Sequence, residues 1–242
     1  MRLVVGLLLC GFAAGACSPA EDEPAAASSG PVGTPSSAPG VGAGVLFEDD
    51  FETDPFPRWQ PVTRAAWSWE KTGDSRVFEL VRNVPLDEPV RAPYNRNLVK
   101  GVVVGDFQLD VDLRSTTRDY PNQSLCLFFG YQDPAHMYYV HFGRTTSDTS
   151  NQVFIVNGKD RTPISAKTTS GTAWGDGWHH ARIVRRAERG TIEVYFDDMR
   201  TPAMTAVDTT FADGRVGIGS FDDTGQFDNV VLRNVVSRAK QR

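Results

Sequence analysis

Phe107, Leu109, Val111 and Leu113 alternate with Gln108, Asp110, Asp112 and Arg114. Successive side chains of a strand point to opposite faces, so this stretch reads as a strand with one apolar and one wet face. Helical periodicity is hard to find anywhere after Gly44, whereas period two recurs. Leu125 to Tyr131 (LCLFFGY) is nearly all apolar and predicts a strand buried on both faces. Met137 to Phe142 and Gln152 to Val156 follow, the latter closed by an Asn157-Gly158 hairpin signal. Ala181 to Val184 and Thr191 to Phe196 are linked through Gly190, and Val216 to Phe221 and Phe227 to Leu232 come last. Many short strands separated by Gly, Asp and Pro turns predict an all-β fold, an antiparallel two-sheet jelly-roll sandwich. Gly217 and Gly219 interrupt a strand pattern and read as close-packing positions.

The chain before these strands has a different character. Met1 and Arg2 precede the apolar run Leu3 to Phe12, which is too short to span a bilayer, where ~20 residues are needed. Small residues then lead into a cysteine, the pattern of a secretory signal. Ala14-Gly15-Ala16-Cys17 resembles the bacterial lipobox, which implies removal of residues 1–16 and lipidation of Cys17. Ser18 after the cysteine implies an outer-membrane or surface destination. From Ser18 to Gly44, 21 of 27 residues are Ala, Pro, Gly or Ser and none is aromatic. Such a segment cannot bury enough apolar surface to offset its ordering entropy, so residues 17–44 are expected to be a disordered tether. Residues 45–236 suit one globular domain, with 237–242 as a tail. Cys126 is the only cysteine in that domain, which leaves no internal disulfide. A net charge of −5 and the lack of a Lys/Arg stripe exclude nucleic acid as the expected partner.

Two stretches carry a resemblance. Gly177-Trp178-His179-His180-Ala181-Arg182-Ile183-Val184-Arg185, followed by Gly190-Thr191-Ile192-Glu193-Val194-Tyr195-Phe196-Asp197, resembles a hairpin of concanavalin A-like jelly rolls. Laminin G-like modules and the bacterial three-keto-disaccharide hydrolase family both carry that hairpin. Leu46 to Phe51, Gly105-Asp106-Phe107, Gly217-Ile218-Gly219 and Phe227-Asp228-Asn229-Val230 are similar to the second family. The resemblance implies the fold and leaves function open, because the fold hosts lectins, glycosidases, lyases and adhesion modules.

Several residue sets compete for the site. Tyr139 and His141 are two apart and project from one face of their strand. With Arg144, Asn151 and Arg161 nearby they form a ligand set in which Tyr139 stacks on a sugar and the polar groups orient its hydroxyls. The same Tyr and His could serve a uronate lyase, His141 taking a proton and Tyr139 returning one to the leaving oxygen. Glu48, Asp50 and Glu52 match the spacing of retaining glucanases, whose two carboxyls stand ~5–5.5 Å apart. His179 and His180 point opposite ways and are expected to be structural. Trp67 and Trp69 share a strand face, while Trp59 and Trp174 fall in loop-like contexts. Asp222 and Asp223 have turn chemistry. Asp228 begins the last strand, and related jelly rolls imply a structural calcium near there, with Glu48, Asp50 and Asp228 as the charged ligands. The leading expectation is a lipid-anchored envelope domain that binds polysaccharide or oligosaccharide. The alternatives are a polysaccharide-processing enzyme, as hydrolase or lyase, and a protein-adhesion module.

Overall fold

The computed structural model describes residues 44–235. The expected leader, Cys17, all of the 17–44 tether except Gly44, and the tail at 237–242 lie outside the described residues. The strands are β1 (Val45–Asp49), β2 (Trp59–Pro61), β3 (Trp67–Thr72), β4 (Ser75–Leu80), β5 (Asn95–Val99), β6 (Phe107–Ser115), β7 (Ser124–Asp133) and β8 (His136–Gly143). They continue as β9 (Gln152–Asn157), β10 (Thr162–Pro163), β11 (Ser165–Lys167), β12 (His179–Arg186), β13 (Thr191–Phe196), β14 (Met204–Val207), β15 (Arg215–Ser220) and β16 (Gly225–Asn234). One short 3-10 turn, Arg64–Ala66, is the only helical element among the described residues.

Two antiparallel sheets result. The nine-stranded sheet runs β11-β14-β13-β12-β6-β16-β4-β3, with β1 also paired to β16. The seven-stranded sheet runs β10-β9-β8-β7-β15-β5-β2. Phe107, Leu109, Val111 and Leu113 of β6 face Leu125, Leu127 and Phe129 of β7 and Tyr138, Val140 and Phe142 of β8 in one core. With Cys126 a free thiol, burial of this apolar surface, at ~25 cal/mol per Å², is what holds the domain. Arg185, on the core face of β12, is buried. It donates to the carbonyls of Gly190 at 2.8 Å and Phe211 at 3.2 Å, which satisfies a charge that would otherwise be costly there.

The seven-stranded sheet is also apolar on its outer face. Leu98, Cys126, Phe128, Met137, Tyr139, Phe154 and Val156 form a second cluster with Ala92. Ala92 belongs to the β4–β5 connection, residues 81–94, which folds over that face. Burial on both faces explains the unbroken apolar run of β7. Gly217 of β15 makes room in the same sheet, since a Cβ there would lie 2.5 Å from the Asn97 carbonyl oxygen and 2.8 Å from Leu98.

Two local expectations are corrected. Asn157-Gly158 does not close a two-residue hairpin, because β10 pairs with β9 only from Thr162, leaving a loop over 158–161. Trp174 does lie in a loop, between β11 and β12, whereas Trp59 opens β2. Both are buried, and their indole N–H groups donate to the Asp49 carboxylate at 2.8 Å and the Phe142 carbonyl at 3.0 Å.

Candidate functional site

The outer face of β7, β8 and β9 supplies the floor of the site. Registered pairing sets Phe128, Tyr139 and Phe154 side by side. Tyr139 stacks on Phe154 at 5.0 Å and leans on Phe128 at 6.0 Å. One step along the strands, His141 lies in register with Cys126 and Gln152 and meets Tyr139 and Phe154 edge-on.

Loops build the walls. The 81–94 connection and the 158–161 loop are stitched together by the Arg91 N–H to Asp160 at 2.9 Å and the Arg161 N–H to the Arg91 carbonyl at 3.1 Å. Both arginine side chains therefore reach the same place. The Arg161 guanidinium lies 4.4 Å from the centre of the Phe221 ring and that of Arg91 lies 5.6 Å from it. Phe221 and Asp222 come from the β15–β16 turn, Asn122 from the loop before β7, Ser124 from its first residue, and Thr149 and Ser150 from the β8–β9 loop. Together with His141 they enclose a pocket of about 160 Å³. Ser150 packs directly against Gly143, where a Cβ would collide with its hydroxyl.

His141 is neutral here. Burial, then the nearby Arg161 charge, push its pKa down to about 3. Nδ1 accepts from the Asn151 N–H at 3.4 Å, so the proton resides on Nε2, which is left as a donor.

The expected ligand set is thus redistributed. His141 and Arg161 line the pocket. Tyr139 does not, since it is fully buried and its hydroxyl accepts from Arg161 Nη1 at 3.1 Å. A ring sealed between Phe128 and Phe154 offers no face to a sugar, which overturns the stacking role. Arg144 lines a separate hollow with Thr172 and Trp174 and pairs with Asp119 at 2.7 Å. Asn151 is buried at φ 54°, and its amide is occupied by the threonine-rich loops around it, with contacts to Thr146, Thr168 and Thr169. It acts on the pocket only through its backbone N–H to His141. Asp223 is more than turn chemistry: buried, it accepts from the Tyr120 hydroxyl and from the Ser124 N–H and hydroxyl, fixing the pocket's wall.

The acidic residues of β1 do not form the expected sets. Phe51 adopts φ 54° and ends the strand alternation after Asp49. Asp50 then accepts from the Glu52 N–H, and Glu52 accepts from the Ser75 hydroxyl at 2.6 Å and the Arg76 N–H at 2.9 Å. The retaining carboxyl pair is therefore not built. Glu48 and Asp50 line an open groove of about 550 Å³ with Arg58 and Asn229, but Asp228 is not among its walls. Among the described residues no three His, Cys, Asp or Glu side chains come together to hold a metal ion. Glu48, Asp50 and Asp228 thus do not fit as a common calcium ligand set. His179 and His180 take different carboxylates, Asp197 for the first and Asp110 with Asp112 for the second.

Asp228 is opposite Asp112 in the sheet. Partial burial raises its pKa to about 6, and the charges of Asp112, Glu52 and Asp50 add to the rise against the opposing Asn229 N–H. A carboxyl raised above its unfolded value contributes stability that is fully present below about pH 4 and is lost as pH rises through 6. Asp228→Asn should therefore stabilise the domain at pH 7 by about 1 kcal/mol after solvent screening, roughly 2–4 °C in Tm. Thermal melts at pH 7 and pH 4 should show the gain only at the higher pH. An equal gain at both would remove the electrostatic explanation.

The fold is an antiparallel two-sheet jelly-roll sandwich. No protein-family model and no curated protein matches the sequence. Among solved structures, the carbohydrate-binding module CBM66 from Bacillus subtilis is similar at TM-score 0.53 and 17% identity, covering 73% of this chain and 95% of that one. The GH43 protein BlXynB from Bacillus licheniformis is similar at TM-score 0.57 and 14% identity over 77% of this chain, which spans only 39% of that enzyme. Basic winged bean lectin, solved with Tn-antigen, is similar at TM-score 0.50 and 13% identity, covering 81% and 100%.

Proposed function

We propose that this domain binds carbohydrate without cleaving it, in the pocket over His141. The observation that carries the reading is the convergence of hydrogen-bonding groups beside one aromatic ring: Asn122, Ser150, His141 and two arginines around Phe221. A few polar groups converging beside an apolar surface is how small-ligand sites fix orientation. A carbohydrate-binding module and a lectin among the similar structures support the class of ligand. Lyase chemistry fits less well. Tyr139 lies sealed under the pocket with its phenol pKa raised by burial, and a histidine of pKa about 3 is a weak base.

A glycan array probed with the protein, paired with reducing-sugar and unsaturated-uronate assays, tests this. Array binding with silent assays supports the proposal. Product formation would replace it with an enzyme, and silence in all three would favour a protein partner.

The sequence before residue 44 supports display at the bacterial envelope, most simply on the outer membrane, through a diacylglyceryl group on Cys17 and a tether that holds the domain clear of the bilayer. Cys17→Ser should move the protein from the membrane fraction to the soluble fraction. A variant that still sediments with membranes in high salt would contradict the anchor.

A further inference from the structure

Resting on the carbohydrate reading above, we propose that the sugar this pocket takes carries an acidic substituent, a carboxylate or a sulfate ester. Neither Arg91 nor Arg161 forms an ion pair with a carboxylate among the described residues, although loop pairing drives both guanidiniums toward Phe221. Arg161 spends one N–H on Tyr139, which leaves the rest of its fork unused. Ser150 lines the same pocket, but its hydroxyl, which has no partner, is packed against Gly143. His141 presents Nε2–H there, because its Nδ1 is already an acceptor. The arginines and His141 only donate, Asn122 and Thr149 can give or take, and Asp222 on the exposed rim is the one obligate acceptor of the lining side chains. A neutral sugar, whose hydroxyls both give and take, would leave such a set partly unmatched. A carboxylate or sulfate is acceptor-only and forms charge-assisted bonds to guanidinium, about twice as strong as neutral ones.

The size is consistent with one ring. About 160 Å³ is small beside the ~300–1,000 Å³ of pockets for larger ligands, so the acidic group would be read on a terminal or side-branch sugar. The buried neutral histidine adds a donor without adding a third positive charge, so Asp222 offsets one of the two arginines and the pocket stays cationic.

The test is titration of the full chain, by calorimetry or ligand-observed NMR, with methyl glycosides in matched pairs: glucuronate and glucose, galacturonate and galactose, mannuronate and mannose, with 6-sulfogalactose added. At least one acidic sugar should bind about tenfold or more tightly than its neutral partner, and the preference should shrink in high salt. Whether a uronate or the sulfated sugar binds best identifies the source of the charge. Arg91→Gln should erase the preference with Tm unchanged, because that exposed side chain supports nothing in the core. Arg161→Gln should do the same but lower Tm through Tyr139. Neutral sugars binding as tightly as acidic ones, or Arg91→Gln retaining the preference, would overturn the acidic substituent while leaving carbohydrate binding in place. If none of the seven sugars binds, the acidic inference falls. The array of the preceding subsection, which does not depend on charge, then decides whether the carbohydrate reading falls with it.

Discussion

Tyr139→Ala should cost the domain about 3–5 kcal/mol, the range for emptying an aromatic site in a packed core. Tyr139 is 0% exposed, stacked on Phe154 and bounded by Phe128 and His141. Truncation would leave a void between strands that antiparallel pairing holds at fixed spacing, so little collapse can fill it. The phenol oxygen would also leave Arg161 Nη1 without its partner. Tyr139→Phe separates the two effects, and it should cost only about 1 kcal/mol, a single hydrogen bond. Urea titrations of both variants measure this. Sequence reasoning alone gives the opposite expectation for Tyr139→Ala, a large loss of glycan binding with the fold intact. A variant of near-normal stability with weakened binding would restore that view.

Glu88→Ala should be nearly as severe. Arg96 is fully buried on the outer face of the seven-stranded sheet, and its Nη2 lies 2.6 Å from the Glu88 carboxylate, which is only 10% exposed. Arg96 Nη1 donates to the Pro93 carbonyl at 2.5 Å, so the same guanidinium ties the middle of the 81–94 connection to its C-terminal end. Removing the carboxylate leaves a buried charge without its counterion, a loss of about 3–5 kcal/mol. Arg91 rides on that connection, so the pocket should loosen as well and the segment should become open to proteolysis. Replacing both partners together, Arg96→Met with Glu88→Leu, should recover much of the stability, since well-packed apolar pairs often match buried ion pairs. A Glu88→Ala protein with an unchanged melting curve and unchanged resistance to protease would show that the pair does not hold the connection.

The strands were legible because their signal is local. Alternation marks β6 and β12, and an unbroken apolar run marks β7. Even the pairing of Tyr139 with His141 on one face follows from period two. What period two cannot say is which side of a sheet a loop will cover. Tyr139 does point away from the sandwich core, as a ligand-facing residue would, but residues 81–94 and 158–161 close over it. Arg91 and Arg161 are brought together by a backbone contact between loops whose sequences give no sign of meeting. Ser150, Asn122 and Phe221 likewise depend on tertiary contact. The acidic run at β1 misled for a different reason. Alternation assumes an uninterrupted strand, and the positive φ of Phe51 breaks it in the middle of the motif.

The central claim is that glycan enters the pocket over His141, and mapping backbone amide shifts on addition of the best-binding glycan tests it most directly. The expected result is a compact set of shifts at Ser124, Thr149, Ser150, Asn151, Phe221 and Asp222, with the Asn151 N–H reporting any movement of His141. Shifts confined to the groove of Glu48, Asp50 and Asn229, or to the nine-stranded sheet around His180 and Arg182, would contradict the account and move the site to the other face of the domain.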